Sequence, residues 1–194
     1  MRPIPPILCL IAIVAAAGAT AQEPPSPDCQ YSLADAGADV PRFGDFPARG
    51  STPSKLAPVD FKGDPEARRF RARLREGAAD GPNFAGNHTI VGWGCGAGCF
   101  DWGMVDAITG KVRFEKRLRD IYWGNVGEIW SDKPDGALPM LKFRRDSDLL
   151  ILLGAPSEDL KQDGIGFYRW DGKRFARLRF IPRAALCADK ATKP

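Results

Sequence analysis

The sequence predicts a mainly β fold, an antiparallel meander of barrel, sandwich or propeller-blade type with one N-terminal α-helix, stabilised by disulfides. Three observations point there. From residue 88 onward, short apolar runs alternate with turn residues at a spacing that suits seven to nine strands. Only residues 64–78 carry helical periodicity over several turns. Beyond the first segment the cysteines form an even set, Cys29, Cys95, Cys99 and Cys187, in a chain that reads as exported.

Composition sets the frame. The chain has 194 residues, a formal net charge of +4, 44% hydrophobic and 27% charged residues, which fits one folded domain and excludes disorder throughout. That net charge is too small to predict nucleic-acid binding. A single histidine, His88, removes most zinc and His-triad chemistry.

Residues 1–21 read as a Sec-type signal peptide. Arg2 gives the positive start, residues 7–17 the apolar run, and Ala19-Thr20-Ala21 a small-x-small site with cleavage after Ala21. The run is about half as long as a bilayer-spanning helix needs, so no transmembrane segment is expected after cleavage and the predicted location is periplasmic or secreted. Cys9 leaves with this segment. The remaining cysteines predict two disulfides with three possible connectivities. Cys95 and Cys99 can close a small glycine-rich loop. Cys29 with Cys187 would clamp the chain ends and restrict the unfolded state most, and this pairing is favoured.

Residues 22–63 form a Pro/Gly-rich N-terminal arm. Pro24, Pro25, Pro27, Pro41, Pro47, Pro53 and Pro58 exclude a long helix or a central strand, and leave room for a short edge strand at 55–61. Residues 64–194 form a single helix-plus-β domain. Asp64 is an N-cap, Pro65 suits the first helical position and Glu66 matches the positive end of the helix dipole. Ala67, Phe70, Leu74 and Ala78 share one face; Arg68, Arg69, Arg71, Arg73 and Arg75 populate the rest. Gly77 and then Gly81-Pro82 stop the helix. The arginine face reads first as solvated surface and second as a contact for an anionic partner.

A strand is predicted at 88–93. Segments 100–106 and 112–118 flank a hairpin loop, 138–144 and 149–153 flank a second turn, and 166–170 and 173–178 flank Asp171-Gly172, a strong hairpin signal. The continuous apolar run Leu149-Leu150-Ile151-Leu152-Leu153 belongs at the centre of a sheet, covered on both faces. A short helix fits near 183–186. No clean internal repeat is present, which counts against a full propeller.

Two features could carry chemistry. Gly92-Trp93-Gly94-Cys95-Gly96-Ala97-Gly98-Cys99 admits a structural disulfide loop, a redox Cys-x-x-x-Cys pair, or a soft metal site joining Cys95, Cys99 and His88. The exported context and even cysteine count favour the structural reading. The glycines do not satisfy G-x-G-x-x-G, because position 99 is Cys, and no helix follows. His88 alone could act as a general base, but fits a hydrogen-bonded structural role better. The second feature is aromatic: Trp93, Trp102, Trp123, Trp130 and Trp170 all lie in the β region. On a sheet surface such rings stack on sugar faces or anchor a protein interface, with Asn125, Asp101 or Glu128 accepting hydroxyl hydrogens; buried, they are core. Asp101, Asp106, Glu128 and Asp132 offer carboxylates for glycoside cleavage, whose required separation sequence spacing does not establish.

The block Glu66-Ala67-Arg68-Arg69-Phe70-Arg71-Ala72-Arg73-Leu74-Arg75-Glu76-Gly77, then Gly81-Pro82-Asn83-Phe84-Ala85-Gly86, then Trp93-Gly94-Cys95-Gly96 and Cys99, resembles an uncharacterised family of small exported bacterial proteins. The resemblance covers roughly residues 55–115. Members tend to carry His-Tyr after the Phe-Ala-Gly step, where this chain has Asn87-His88. The resemblance implies an envelope location and a disulfide-bearing β fold, and implies no reaction.

The expected function is therefore a non-enzymatic exported binding module for an envelope protein or polysaccharide, inhibitor-like or immunity-like, with Trp102, Trp123, Asn125, Glu128, Trp130 and His88 as its candidate surface. It needs no cofactor, catalytic centre or metal. The alternatives are a thiol–disulfide or metal-binding protein using Cys95 and Cys99, and a carbohydrate-active enzyme using Glu128.

Overall fold

A computed structural model describes residues 28–127, 137–188 and 190. The predicted signal peptide, the first residues of the arm, and the candidates Glu128, Trp130 and Asp132 lie outside the described residues. The chain is mainly β, with every paired strand antiparallel to its neighbour. One sheet holds β1 (His88–Gly96), β2 (Cys99–Asp106) and β3 (Val112–Arg113), with β4 (Ile121–Tyr122) also paired to β2. The other holds β5 (Ala137–Leu138), β6 (Leu141–Phe143), β7 (Leu149–Gly154), β8 (Gly164–Trp170) and β9 (Phe175–Pro182) in sequence order. Asp171 makes the β8–β9 turn, its Oδ1 accepting from the backbone of Lys173 and Arg174.

Both sheets feed one core. Ile90, Phe100, Trp102 and Met104 come from the first, and Phe143, Leu150, Leu152, Ile165 and Phe167 from the second. β7 is the middle strand of its sheet and is buried at every position, as its unbroken apolar run requires. The arm helps to cover this sheet. Two 3-10 turns, Leu33–Ala36 and Phe43–Asp45, bring Leu33, Val40, Phe43 and Phe46 against the core. Ser147 Oγ lies 2.9 and 2.8 Å from the carbonyls of Phe43 and Phe46. Arg49 pairs with buried Asp148 at 2.6 Å. The edge strand expected at 55–61 reduces to a single parallel bridge from Asp60 to Lys111.

The helix expected over 64–78 is two: α1 (Pro65–Arg69) and α2 (Arg71–Ala79). Asp64 Oδ1 accepts from the amides of Glu66 and Ala67, the cap its position called for. The break falls at Phe70, whose backbone leaves helical angles at φ −99, ψ 15 while its ring stacks on Trp93 at 4.5 Å. Ala67, Leu74, Val91, Trp93 and Val105 make a smaller second core under these helices. A last short helix, α3 (Arg183–Cys187), carries the cysteine that closes the chain ends.

Two disulfides are present, Cys29–Cys187 and Cys95–Cys99, the favoured pairing. Bridged cysteines suit an oxidising, extracytoplasmic compartment. Among the described residues no helix is long and apolar enough to cross a membrane.

The segment before β1 is a clasp. The Asn83 side chain exchanges two hydrogen bonds with the Ile90 backbone. Phe84 is fully buried, stacked on Phe175 and edge-on to Phe143. Ala85 and Gly86 both take positive φ, which lets Gly86 N donate to Arg145 O at 2.7 Å. A Cβ on Gly86 would sit 2.0 Å from Gly50 O, so arm and domain touch through bare backbone there.

Candidate functional site

Three of the four described tryptophans are buried and contribute no aromatic surface. Trp102 is 0% exposed, its Nε1 donating to Leu118 O at 2.6 Å, because β2 turns it into the core between the sheets. Trp93 and Trp170 are buried as well. Trp123 is half-buried, packed on the main core. Asn125 is a structural latch: its Nδ2 donates to Asp163 Oδ2 at 2.7 Å, while the Tyr31 hydroxyl donates to Asp163 Oδ1 at 2.6 Å. Burial, together with that carboxylate, pushes the Tyr31 phenol well above its ordinary range.

The carboxylate Asp101 is also spoken for. It takes a two-pronged pair from Arg119, whose third contact reaches Glu66 on α1. Burial alone would lower the Arg119 pKa; the two carboxylates hold it above its usual value. Asp106 shapes the β2–β3 turn through the amides of Ile108 and Thr109 and accepts from Asn87 Nδ2.

The soft-metal set joining His88 with Cys95 and Cys99 is excluded by placement. His88 begins β1 and Cys95 lies near its far end, about 20 Å away along an extended strand. The sulfurs instead have Asp120 beside them, one ligand atom from each residue lying within 4.8 Å of the others. Both sulfurs are consumed by their mutual bond. The tip they close is open: a Cβ on Gly94 or Gly96 would meet nothing within 4 Å.

A cleft of about 530 Å³ lies elsewhere, between the β3–β4 connection and the second sheet. One wall carries Glu115, Arg117 and Leu118, the other Tyr168 from β8 with Phe175 and Arg177 from β9. Register explains the second wall: Tyr168 pairs with Arg177 and Trp170 with Phe175, so these side chains share a face. Phe175 rests on Phe84 and edge-on against Trp102, which places Trp102 behind the cleft rather than in it. Gln162 Oε1 accepts from Arg177 Nη1 at 3.1 Å and steadies the guanidinium. Burial raises the Tyr168 phenol, with Arg177 pulling the other way, so it stays a neutral donor at pH 7.

The cleft rim is strained. Ser157 and Glu158 are consecutive non-glycine residues at φ 56 and φ 53, a conformation that costs of order 1 kcal/mol or more at each position. Surrounding bonds enforce it: Ser157 N donates to Arg119 O, and Glu158 N to Asp120 O. Sequence reading missed Arg117, Tyr168, Phe175 and Arg177. For Tyr168, Phe175 and Arg177 the visible signal was the alternation of large aromatic and arginine residues flanking Asp171-Gly172, which marks a face without saying what it looks at; Arg117 carried none.

No family model, curated protein or solved structure matches this chain.

Proposed function

We propose that the chain is a non-enzymatic exported binding module that recognises an envelope component or protein partner through the 530 Å³ cleft, in the manner of an inhibitor or immunity protein. One observation carries this reading. Arg117 on one wall faces Arg177, Tyr168 and Phe175 on the other, and the adjoining rim is held in strained backbone. Guanidinium groups beside ring faces suit a ligand that offers acceptor oxygens and an apolar side, as a polysaccharide or a protein segment does. Two sheets around a common core favour a sandwich over a barrel or a propeller blade. Signal cleavage after Ala21 and kinship with the small exported bacterial proteins belong to the same proposal, and N-terminal sequencing of the exported protein tests the first.

The binding test is capture of envelope material by the full mature protein and by Arg117→Glu/Arg177→Glu. Arg117 and Arg177 are exposed, so the variant is expected to keep its melting temperature and lose capture by about tenfold or more. Equal capture by both proteins, or none by the wild type, overturns the reading.

A second reading has one observation in its favour, the Asp120 carboxylate beside the Cys95–Cys99 bridge on an open tip. A thiol–disulfide or metal-binding role there requires the bridge to open readily with a dithiol reductant. Resistance of that bridge in the native protein removes this alternative.

A further inference from the structure

The chain's one histidine borders a small cavity that shares no lining residue with the cleft. The cavity measures about 150 Å³ and is lined by His88, Asp106, Lys111, Arg113 and Trp170 among others. That is roughly five water volumes, room for a small anion and too little for an oligosaccharide.

Its charges are not self-compensating. Asp106 spends its Oδ1 on three donors, Asn87 Nδ2 and the amides of Ile108 and Thr109. Lys111 and Arg113 lie two residues apart along an extended segment, so both can reach the same side. Neither has a carboxylate partner among the described residues. The Arg113 guanidinium is held over the Trp170 ring at 5.3 Å, which orients the fork while its N–H donors meet no acceptor among the described residues. His88 stands edge-on to the same indole at 5.3 Å. Its Nδ1 is buried without a hydrogen-bond partner, so Nε2 is the only ring nitrogen that can reach a ligand. Two uncommitted cations, one pre-oriented by stacking, converge with an imidazole on a cavity of anion size.

We propose that this cavity is a binding site for a small oxyanion, a carboxylate or phosphate group, held by Arg113 and Lys111 with Nε2 of His88 as a third contact. The site is separate from the cleft and does not depend on the cleft's ligand.

Because His88 is the only histidine, its imidazole resonances report on the site without assignment ambiguity. The experiment titrates the full mature protein with acetate, inorganic phosphate and glycerol 3-phosphate at constant ionic strength, following those resonances. The expected result is a saturable shift with at least one of them. Binding should weaken about tenfold in Arg113→Gln and in Lys111→Gln, two exposed positions where the melting temperature is expected to hold. Response to acetate alone assigns a carboxylate, response to phosphate alone a phosphoryl group, and tighter binding of glycerol 3-phosphate points to a lipid headgroup as its source. No saturable shift with any of the three, or equal shifts in both variants, overturns the proposal. Arg117→Glu/Arg177→Glu should leave this titration unchanged, which separates its failure from failure of the cleft reading.

Discussion

The two ends of β1 are built on opposite terms. At its start, Phe84-Ala85-Gly86 is pressed between the arm and the β6–β7 turn, and a methyl group on Gly86 has nowhere to go. At its far end, Gly94 and Gly96 face open space, and the reversal is closed by Cys95–Cys99. Both ends are glycine-rich. In the first, glycine permits backbone to touch backbone. In the second, it permits the chain to turn, with φ 150 at Gly96 and φ 69 at Gly98. A glycine-rich signature therefore has two physical origins within one strand, and only the first is tied to the core.

Substitution by alanine should divide the ends most sharply. Gly86→Ala must relieve a contact of 2.0 Å at φ +82 and is expected to lower unfolding free energy by about 3 kcal/mol or more in urea titration. Gly94→Ala should change it by no more than about 0.5 kcal/mol. Comparable losses at both sites would break the contrast.

Removing the tip disulfide should have an intermediate effect. Its sequence separation is only 4, so Cys95→Ser/Cys99→Ser is expected to cost about 2 kcal/mol through the unfolded chain. The main-core signal in near-ultraviolet circular dichroism should be unaltered. A loss of that signal would show the tip to be coupled to the core after all.

The smallest effect lies at the packed end and depends on pH. Burial, the largest influence on His88, holds its imidazole pKa below the ordinary value, with Asp106 opposing and Arg113 assisting. The unfolded chain then takes up the proton first as pH falls through about 6.5. The stabilising contribution is present above that pH and is lost as pH drops through the folded value. The difference in stability between wild type and His88→Gln should therefore narrow on acidification from about pH 7 to pH 5. A difference independent of pH would remove His88 from the packed set.

What was legible in advance followed from local chemistry. The cap at Asp64, the turn at Asp171-Gly172 and the central strand at 149–153 each depend on residues within a few positions of one another, and the structure holds all three. The long pairing of Cys29 with Cys187 was legible for another reason, since an even cysteine set leaves few choices and closing the ends restricts the unfolded chain most. The break at Phe70 was not, because it answers to Trp93, a residue on another element. Nor was the fate of Trp102, which strand alternation allows on either face and which the second sheet and Leu118 O draw inward.

Composition, spacing and turn residues thus set the class of the fold, its central strand and its bridges, because those depend on short stretches of chain and on the entropy of closing loops, whereas the strand expected over 112–118 is only Val112–Arg113. The cleft and the cavity beside His88 were left to tertiary structure. Arg117 meets Arg177, and His88 meets Trp170, only once the two sheets share one core. No periodicity within either sheet encodes which residues of the other it will oppose.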